Sequence, residues 1–315
     1  MLIPASVPAV VDVLHLLGAD ADPDAPPDLL VEVPHGADRT AHYDALRARL
    51  VSPLADDLVD FFHVNTDVGA WAYGERVAER LIAEQPRRSA LLLRCLIPRT
   101  FIDCNRVIDA PSGDLTAGQL TAALPPYIRA SEDHALLLDL HRAYVQVANA
   151  AYALVCGAGG LALLPHTYGP VTLGIAAVDD DIVRALHEAH EPDRYATWPL
   201  RAEVDLITTT PAGVDLTPEG LAEAVTDLLA KRGLTAIRDG AYNLHPSALG
   251  SARAAAWPGQ TFCVEVRRDL LVPAWTPFAE MLPDRALVER VAEPLAQALA
   301  DWFSSRSSRS EAHLR

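Results

Sequence analysis

Lysine is almost missing from this chain of 315 residues: Lys231, in the run LLAKRGL, is the only one. A cation there suits the C-terminal end of a helix. The scarcity leaves almost no room for Schiff-base chemistry or a phosphate-loop lysine. The four cysteines, Cys95, Cys104, Cys156 and Cys263, are scattered without CxxC spacing. That argues against a disulfide framework or a cysteine zinc site and points to buried free thiols in a reducing cytoplasm. No G-x-S-x-G occurs, which removes the usual serine-hydrolase elbow. No apolar run approaches the ~20 residues needed to span a bilayer. The opening MLIPASVPAVVDV carries no basic residue before Asp12, so no signal peptide is expected and a cytoplasmic location is. Positive charge is also short, with 26 Lys and Arg against 42 Asp and Glu and a net charge of −16. Such a field repels phosphate backbones, so no nucleic-acid partner is expected, and without a spanning run no membrane partner is either. A small-molecule substrate remains open, because a local patch can oppose the global field.

What is present is apolar sequence in strand-length pieces, and half of the chain is hydrophobic. Candidate strands are LLVEVP (29–34), ALLLRCLI (90–97), GLALLP (160–165), VDLITTT (204–210) and TFCVEVR (261–267). Their near-continuous apolar character fits strands covered on both faces. Helical patterns lie between them near 41–50, 67–84, 131–156, 180–190, 217–232 and 284–303. For the 217–232 helix, Thr217 reads as N-cap with Pro218 in the first position. Pro/Gly/Asp clusters at 21–27, 110–114, 191–199 and 210–213 read as loops. Alternating strands and helices imply a single α/β domain over 1–303 around a buried sheet. The polar run 304–315 is expected to be a disordered tail.

Chemistry-bearing residues gather where apolar strands end, as they do in such sheets. Pro34-His35-Gly36-Ala37-Asp38-Arg39 follows LLVEVP, and Gly36 lets the backbone bend so that His35 and Asp38 can turn toward one ion. His166 ends another strand, in LPHTYGP. Glu265 lies inside TFCVEVR, on one face with Cys263 and Arg267. Arg99, Asp103, Asn105 and Arg106 follow ALLLRCLI, and arginine with asparagine can grip a carboxylate. Each motif alone has an ordinary structural reading: a capping aspartate, a loop histidine, a sheet-edge ion pair, a salt-bridge cluster. Together they supply two histidines and one carboxylate as ligands, a second carboxylate as base and an arginine for an anion. Three protein ligands with an open position is the pattern of a zinc hydrolase.

The ordered set VPHGADR, NTD at 65–67, FIDCNR, PHTYGP, EVDLIT, GAYNLHP and CVEVRRDLL resembles the N-formylglutamate amidohydrolases, relatives of the zinc carboxypeptidases, from about residue 30 to 273. The resemblance implies a three-layer α/β/α sandwich with a mixed sheet. It implies a divalent metal, zinc first, on His35, Asp38 and His166. It implies Glu265 as catalytic carboxylate, with Asn105 and Arg106 at the carboxylate of an N-acyl amino acid or short peptide. Arg99 or Tyr242 would hold the oxyanion. Members of that family often carry an aspartate two residues before the second histidine. Here Leu164 stands in that place, and Asp103 or Asp67 is expected to substitute; His63 and Asp67 are also candidates to line the site.

Two alternatives accompany this reading: a degenerate, non-catalytic metal- or ligand-binding protein of the same fold, and a Rossmann-type oxidoreductase. The second would rest on Gly157-Ala158-Gly159-Gly160-Leu161-Ala162. A dinucleotide fold needs strand, glycines, then helix, whereas here a helical pattern precedes the glycines and a strand pattern follows them. His187-Glu188-Ala189-His190 has histidines three apart rather than the four of HExxH and reads as a solvated helix face.

Overall fold

Four of the apolar runs become four adjacent, mutually parallel strands at the centre of one sheet. The computed structural model describes residues 2–108, 122–175 and 177–313, with side chains described as far as Arg306. Its strands are β1 (Val11–Leu17), β2 (Leu29–Val33), β3 (Ser89–Cys95), β4 (Leu161–Tyr168), β5 (Val204–Ile207), β6 (Ala236–Arg238) and β7 (Thr261–Arg267). The helices are α1 (Thr40–Arg47), α2 (Leu58–Asn65), α3 (Ala70–Glu84), α4 (Ser131–Val155), α5 (Ile182–Ala189), α6 (Pro192–Tyr195), α7 (Leu221–Lys231), α8 (Leu249–Ala256) and α9 (Arg285–His313). The strand order is β1-β3-β2-β4-β7-β5-β6. β1 runs antiparallel to β3, and β5 antiparallel to β7, so the sheet is mixed. Among the described residues no helix is long and apolar enough to cross a membrane.

Side chains alternate between the two faces along each strand. Leu29, Val31 and Val33 of β2, Ala90 and Leu92 of β3, and Phe262, Val264 and Val266 of β7 pack against α3, α7 and α9. Leu30, Leu91, Leu93 and Leu164 pack on the other side, against α1, α2, α4 and α5. The result is the expected three-layer α/β/α sandwich. Each fully buried Leu or Val contributes about 1.5–3 kcal/mol. Gly74 lets α3 lie close to the sheet, since a Cβ there would meet Pro165 Cγ at 2.8 Å and Val31 Cγ1 at 3.0 Å.

One buried charge interrupts the apolar strands. Glu32 of β2 is fully buried, with Tyr144 and Tyr152 of α4 donating to its two oxygens at 2.7 and 2.9 Å and Arg253 of α8 pairing with Oε1. A buried carboxylate is tolerated when it is paired and hydrogen-bonded in this way. The group fastens α4 and α8 to the sheet behind the strand ends.

Several boundaries depart from the sequence reading. β1 is a strand where the sequence reading places none; Asp12 and His15 break its apolar pattern because it is a partly exposed sheet edge. β6 is three residues long, too short to carry a period. α2 and α8 were missed as well. The 217–232 helix begins at Leu221, with Gly220 (φ +74°) and not Thr217 as N-cap. Thr217 instead donates through its amide and hydroxyl to Asp215 Oδ1, and Leu221 N–H closes a turn onto Pro218 O before the helix starts. α9 runs on through His313, past the point at 304 where a disordered tail was expected. The 110–114 loop lies outside the described residues. Gly157, Gly159 and Gly160 follow helix α4 and precede strand β4, the reverse of a dinucleotide-binding order. Gly160 is required by close packing, because a Cβ would meet Asp28 O at 2.6 Å.

Asp133, in the first turn of α4, anchors the chain that follows α1. Its buried carboxylate accepts from Val51 N at 3.0 Å and Ser52 N at 2.7 Å. Burial pushes its pKa up, but the hydrogen bonds from Ser52 and Val51 outweigh that and hold it below the usual carboxylate value. A depressed folded-state pKa means stability that is present above the unfolded pKa of about 3.9 and lost as pH falls through the folded value. Asp133→Ala is expected to destabilise the fold by about 1–3 kcal/mol at pH 7. Urea melts of wild type and variant should converge as the pH drops below about 4; a gap independent of pH would remove the ionised carboxylate from this role.

Candidate functional site: a His–Asp–His cluster at the strand ends

The C-terminal ends of β2, β3, β4 and β7 deliver His35, Arg99, His166 and Glu265 to one side of the sheet. The β2 end is shaped by Gly36, where a Cβ would meet Arg94 Cγ at 2.6 Å. Arg94 of β3 donates from Nε to Gly36 O at 2.9 Å and from NH2 to Asp38 Oδ1 at 2.6 Å. The loop before α3 is drawn in by two threonines: Thr66 donates to Ala37 O, and Thr100 to Asn65 Oδ1. This brings Asp67 between the two histidines. On β4, the Tyr73 hydroxyl accepts from His166 N at 2.9 Å and faces Val264 O at 2.9 Å. It thereby supplies polar partners for backbone groups of both β4 and β7 beside the site.

Asp67 Oδ2 lies 3.1 Å from His35 Nδ1 and 3.1 Å from His166 Nδ1. All three residues are buried, and their facing atoms lie within 4.8 Å of one another. His35 Nε2 faces Asp103 Oδ1 at 2.8 Å. A neutral imidazole has one N–H and one lone pair. If a neutral His35 gives its N–H to Asp103, its Nδ1 offers a lone pair toward Asp67 Oδ2. With His166 Nδ1 also unprotonated, two imidazoles and a carboxylate would suit a divalent metal; with a proton on either Nδ1 they form hydrogen bonds to Asp67 instead. Asp103 is placed where a carboxylate would orient His35 were a metal bound there.

The other oxygen of Asp67 is held by arginines, with Arg99 and Arg268 each 3.3 Å from Oδ1. Burial raises the pKa of Asp67, but His35, His166 and Arg99 bring it well below the ordinary value. Asp103 is likewise raised by burial and brought down further by His35, Arg106 and Arg99. Burial lowers the Arg268 guanidinium to about 10.

Glu265 stands beside His166 in the register of β4 and β7 and lines the same cavity. Its Oε2 is buried without a hydrogen-bond partner. Burial, then the charge of Asp67, pushes its pKa to about 7 against the opposing pull of His166, Arg201 and Arg268. The cavity has a volume of about 490 Å³. Asn105, Arg106, Arg99 and Tyr242 all line it, together with His35 and His166. Arg106 Nε is 3.9 Å from Asp103 Oδ2, and Asn105 Oδ1 accepts from Gly250 N at 3.0 Å.

Two expectations need correction. Asp38 is not brought into the cluster: its carboxylate is held by Arg94, and the third member of the group is Asp67. Spacing along a loop could not say which way the Asp38 carboxylate turns, whereas the NTD motif at 65–67 already contained the residue that replaces it. His63, offered with Asp67 as a site candidate, packs its ring against Phe62 and does not line the cavity. Arg201 and Arg268 were not singled out. Arg268 sits next to Arg267 in a basic pair just past a read strand, and that pair was the available signal. Arg201 follows a short turn helix and carried none. The four cysteines are free thiols; Cys95, Cys104 and Cys156 are buried, and Cys263 is half-buried at the cavity wall.

The fold and its cluster of strand-end histidines define a class, an α/β/α sandwich on a mixed sheet with the site at the ends of its parallel strands. Two solved structures share this fold over nearly their whole length. One is the gene product Atu2144 from Agrobacterium tumefaciens, with a TM-score of 0.57, 17% identity and coverage of 95% of this chain and 96% of that one. The other is the N-formylglutamate amidohydrolase from Ralstonia eutropha JMP134, with a TM-score of 0.55, 17% identity and coverage of 94% and 99%. The fold expected from the sequence motifs is thus the fold found. No protein-family model and no curated protein matches the chain.

Metal content separates Asp67 from Asp38. After dialysis against a divalent metal, His35→Ala, His166→Ala and Asp67→Asn are expected to lose bound metal while Asp38→Asn retains it. Asp103→Asn should weaken metal affinity by about 10–100-fold. Elemental analysis, with circular dichroism to confirm folding, checks each; metal lost from Asp38→Asn and kept by Asp67→Asn would reverse the assignment.

Proposed function

We propose that this protein is a metal-dependent amidohydrolase that cleaves the amide bond of an N-acyl amino acid or short peptide bearing a free carboxylate. The observation that carries the reading is the convergence of three ligand atoms from His35, Asp67 and His166, the two histidines lining one cavity with Glu265, which has an unpartnered carboxylate oxygen. The similarity in fold to an N-formylglutamate amidohydrolase supports it and makes N-formyl-L-glutamate a natural first compound to try. Zinc is the proposed ion, because imidazole and carboxylate ligands are borderline in softness.

An ion held by His35, Asp67 and His166 would polarise the amide carbonyl and lower the pKa of a nearby water. Glu265 takes the proton of the attacking water and returns it to the leaving amine. A pKa near 7 suits a group that must both accept and release a proton. Asn105, Arg106 and Arg201 face the cavity and supply the donors for the substrate carboxylate. Arg201 rests on the rings of Tyr168 and Tyr242 and donates from Nε to Thr172. Among the described residues no carboxylate forms an ion pair with it. Tyr242 or Arg99 is the donor proposed for the developing oxyanion, and of the two only Arg99 is already engaged by carboxylates.

A second reading, a ligand-binding protein of the same fold without catalysis, is favoured by Arg99 and Arg268. They compensate Asp67 without any ion. It predicts binding without turnover.

Glu265→Gln keeps the shape and one acceptor but removes the base. It is expected to retain metal and fold and to lose at least ~10²-fold in turnover on whichever N-acyl amino acid the wild type cleaves. Near-normal turnover with unchanged metal content would show that another group moves the proton. Arg106→Ala and Arg201→Ala should each lower kcat/KM by about 10–100-fold on an N-acyl amino acid. The corresponding carboxamide should be little affected; an equal loss on acid and amide would remove the arginine concerned from carboxylate binding.

A further inference from the structure

We infer that the cavity selects a substrate with an apolar chain, an N-acyl amino acid carrying one carboxylate and an aliphatic or aromatic side chain. The inference rests on the amidohydrolase reading above and narrows its substrate. The groups that bind charge come from the strand ends and the segments just after them. The wall supplied by α2, α5 and the segment after β4 is different. Apart from Asn65 at the end of α2, it is mostly apolar, with Phe61, Val64, Val171, Leu173, Ile182 and Leu186 all lining the same cavity. All but Val171 belong to the hydrophobic cluster on this side of the sheet or pack against it, and Val64, Val171 and Leu173 are only partly buried. They present hydrocarbon toward the site with no donor among them.

A second carboxylate on the substrate, as in glutamate, would be poorly matched to this wall. Arg99 and Arg268 are engaged by Asp67 and Asp103. Arg201, together with Arg106, serves the single carboxylate next to the scissile amide. A charged side chain laid against Leu173 and Val64 would shed water without gaining a charged partner, whereas an aliphatic chain there loses only unfavourable hydration. The volume of about 490 Å³ falls in the ~300–1,000 Å³ range of pockets that enclose larger organic ligands. It leaves room for such a chain beyond a formyl group.

The test compares N-formyl-L-leucine, N-formyl-L-glutamate and N-formylglycine on the wild-type protein with added zinc. N-formyl-leucine is expected to exceed N-formyl-glutamate in kcat/KM by about tenfold or more, the scale on which apolar pockets discriminate. Leu173→Asp should reduce the leucine-to-glycine ratio by at least about tenfold. Should that variant melt below the assay temperature, Leu173→Gln carries the same comparison. Calorimetric titration of Glu265→Gln protein with the leucine and glutamate compounds gives the preference without turnover. Tighter binding of N-formyl-leucine supports the inference. A preference for N-formyl-glutamate, equal binding of both, no binding of either, or an unchanged ratio in the Leu173 variants overturns it. Failure of the amidohydrolase reading is distinguishable, since it would appear as no turnover of any compound with any metal while the calorimetric preference still decides the chemistry of the cavity.

Discussion

The carboxylate of Asp67 is the point on which the rest of the site depends. It is buried, and an ionised carboxylate taken out of water costs several kcal/mol unless it is compensated. Its compensation comes from four separate strand ends: His35 after β2, Arg99 after β3, His166 on β4 and Arg268 after β7. No two of these are near in sequence. The central parallel strands bring them together because parallel strands all end on the same edge of a sheet. The division within the carboxylate matters as well. Oδ1 takes the guanidinium groups, and Oδ2 takes the imidazoles, which keeps the imidazole side available to an ion.

Much of this was legible in the sequence, and the pattern of what was not is physical. His35, His166 and Glu265 could be found because each follows or interrupts a long apolar run, where a polar side chain must have a reason to be. Strand alternation alone puts Glu265 on one face with Cys263. Asp67 had no such marker. It lies in a loop, and its place was settled by Thr66, Thr100 and the packing of α3, which are tertiary effects. Asp38 looked like a ligand because it is three residues from His35, but Arg94, 56 positions away, claims it at 2.6 Å. β1 was missed for a related reason: an edge strand open to water on part of its surface need not be continuously apolar. The apolar wall formed by α2 and α5 also arises from packing between segments far apart in the chain.

The same side of the sheet carries two glutamates with opposite fates, and the contrast bears on function. Glu32 has both oxygens occupied, by Tyr144, Tyr152 and Arg253. A carboxylate so saturated serves to lock α4 and α8 against the sheet. Glu265 stands one strand beyond His166, is less deeply buried than Glu32, and has a buried oxygen with no partner. Folding stability alone would favour filling that vacancy with a donor, as it has been filled at Glu32, because an unsatisfied buried acceptor costs about 1–3 kcal/mol. The cost is tolerable if the missing partner is a molecule that comes and goes. A water or an amide nitrogen in the cavity can hydrogen-bond to Oε2, and neither is available from the polypeptide. Burial, with the charge of Asp67, raises the pKa of Glu265 to about 7, so the withdrawal from water that costs the fold here is the feature that would suit this carboxylate to move a proton.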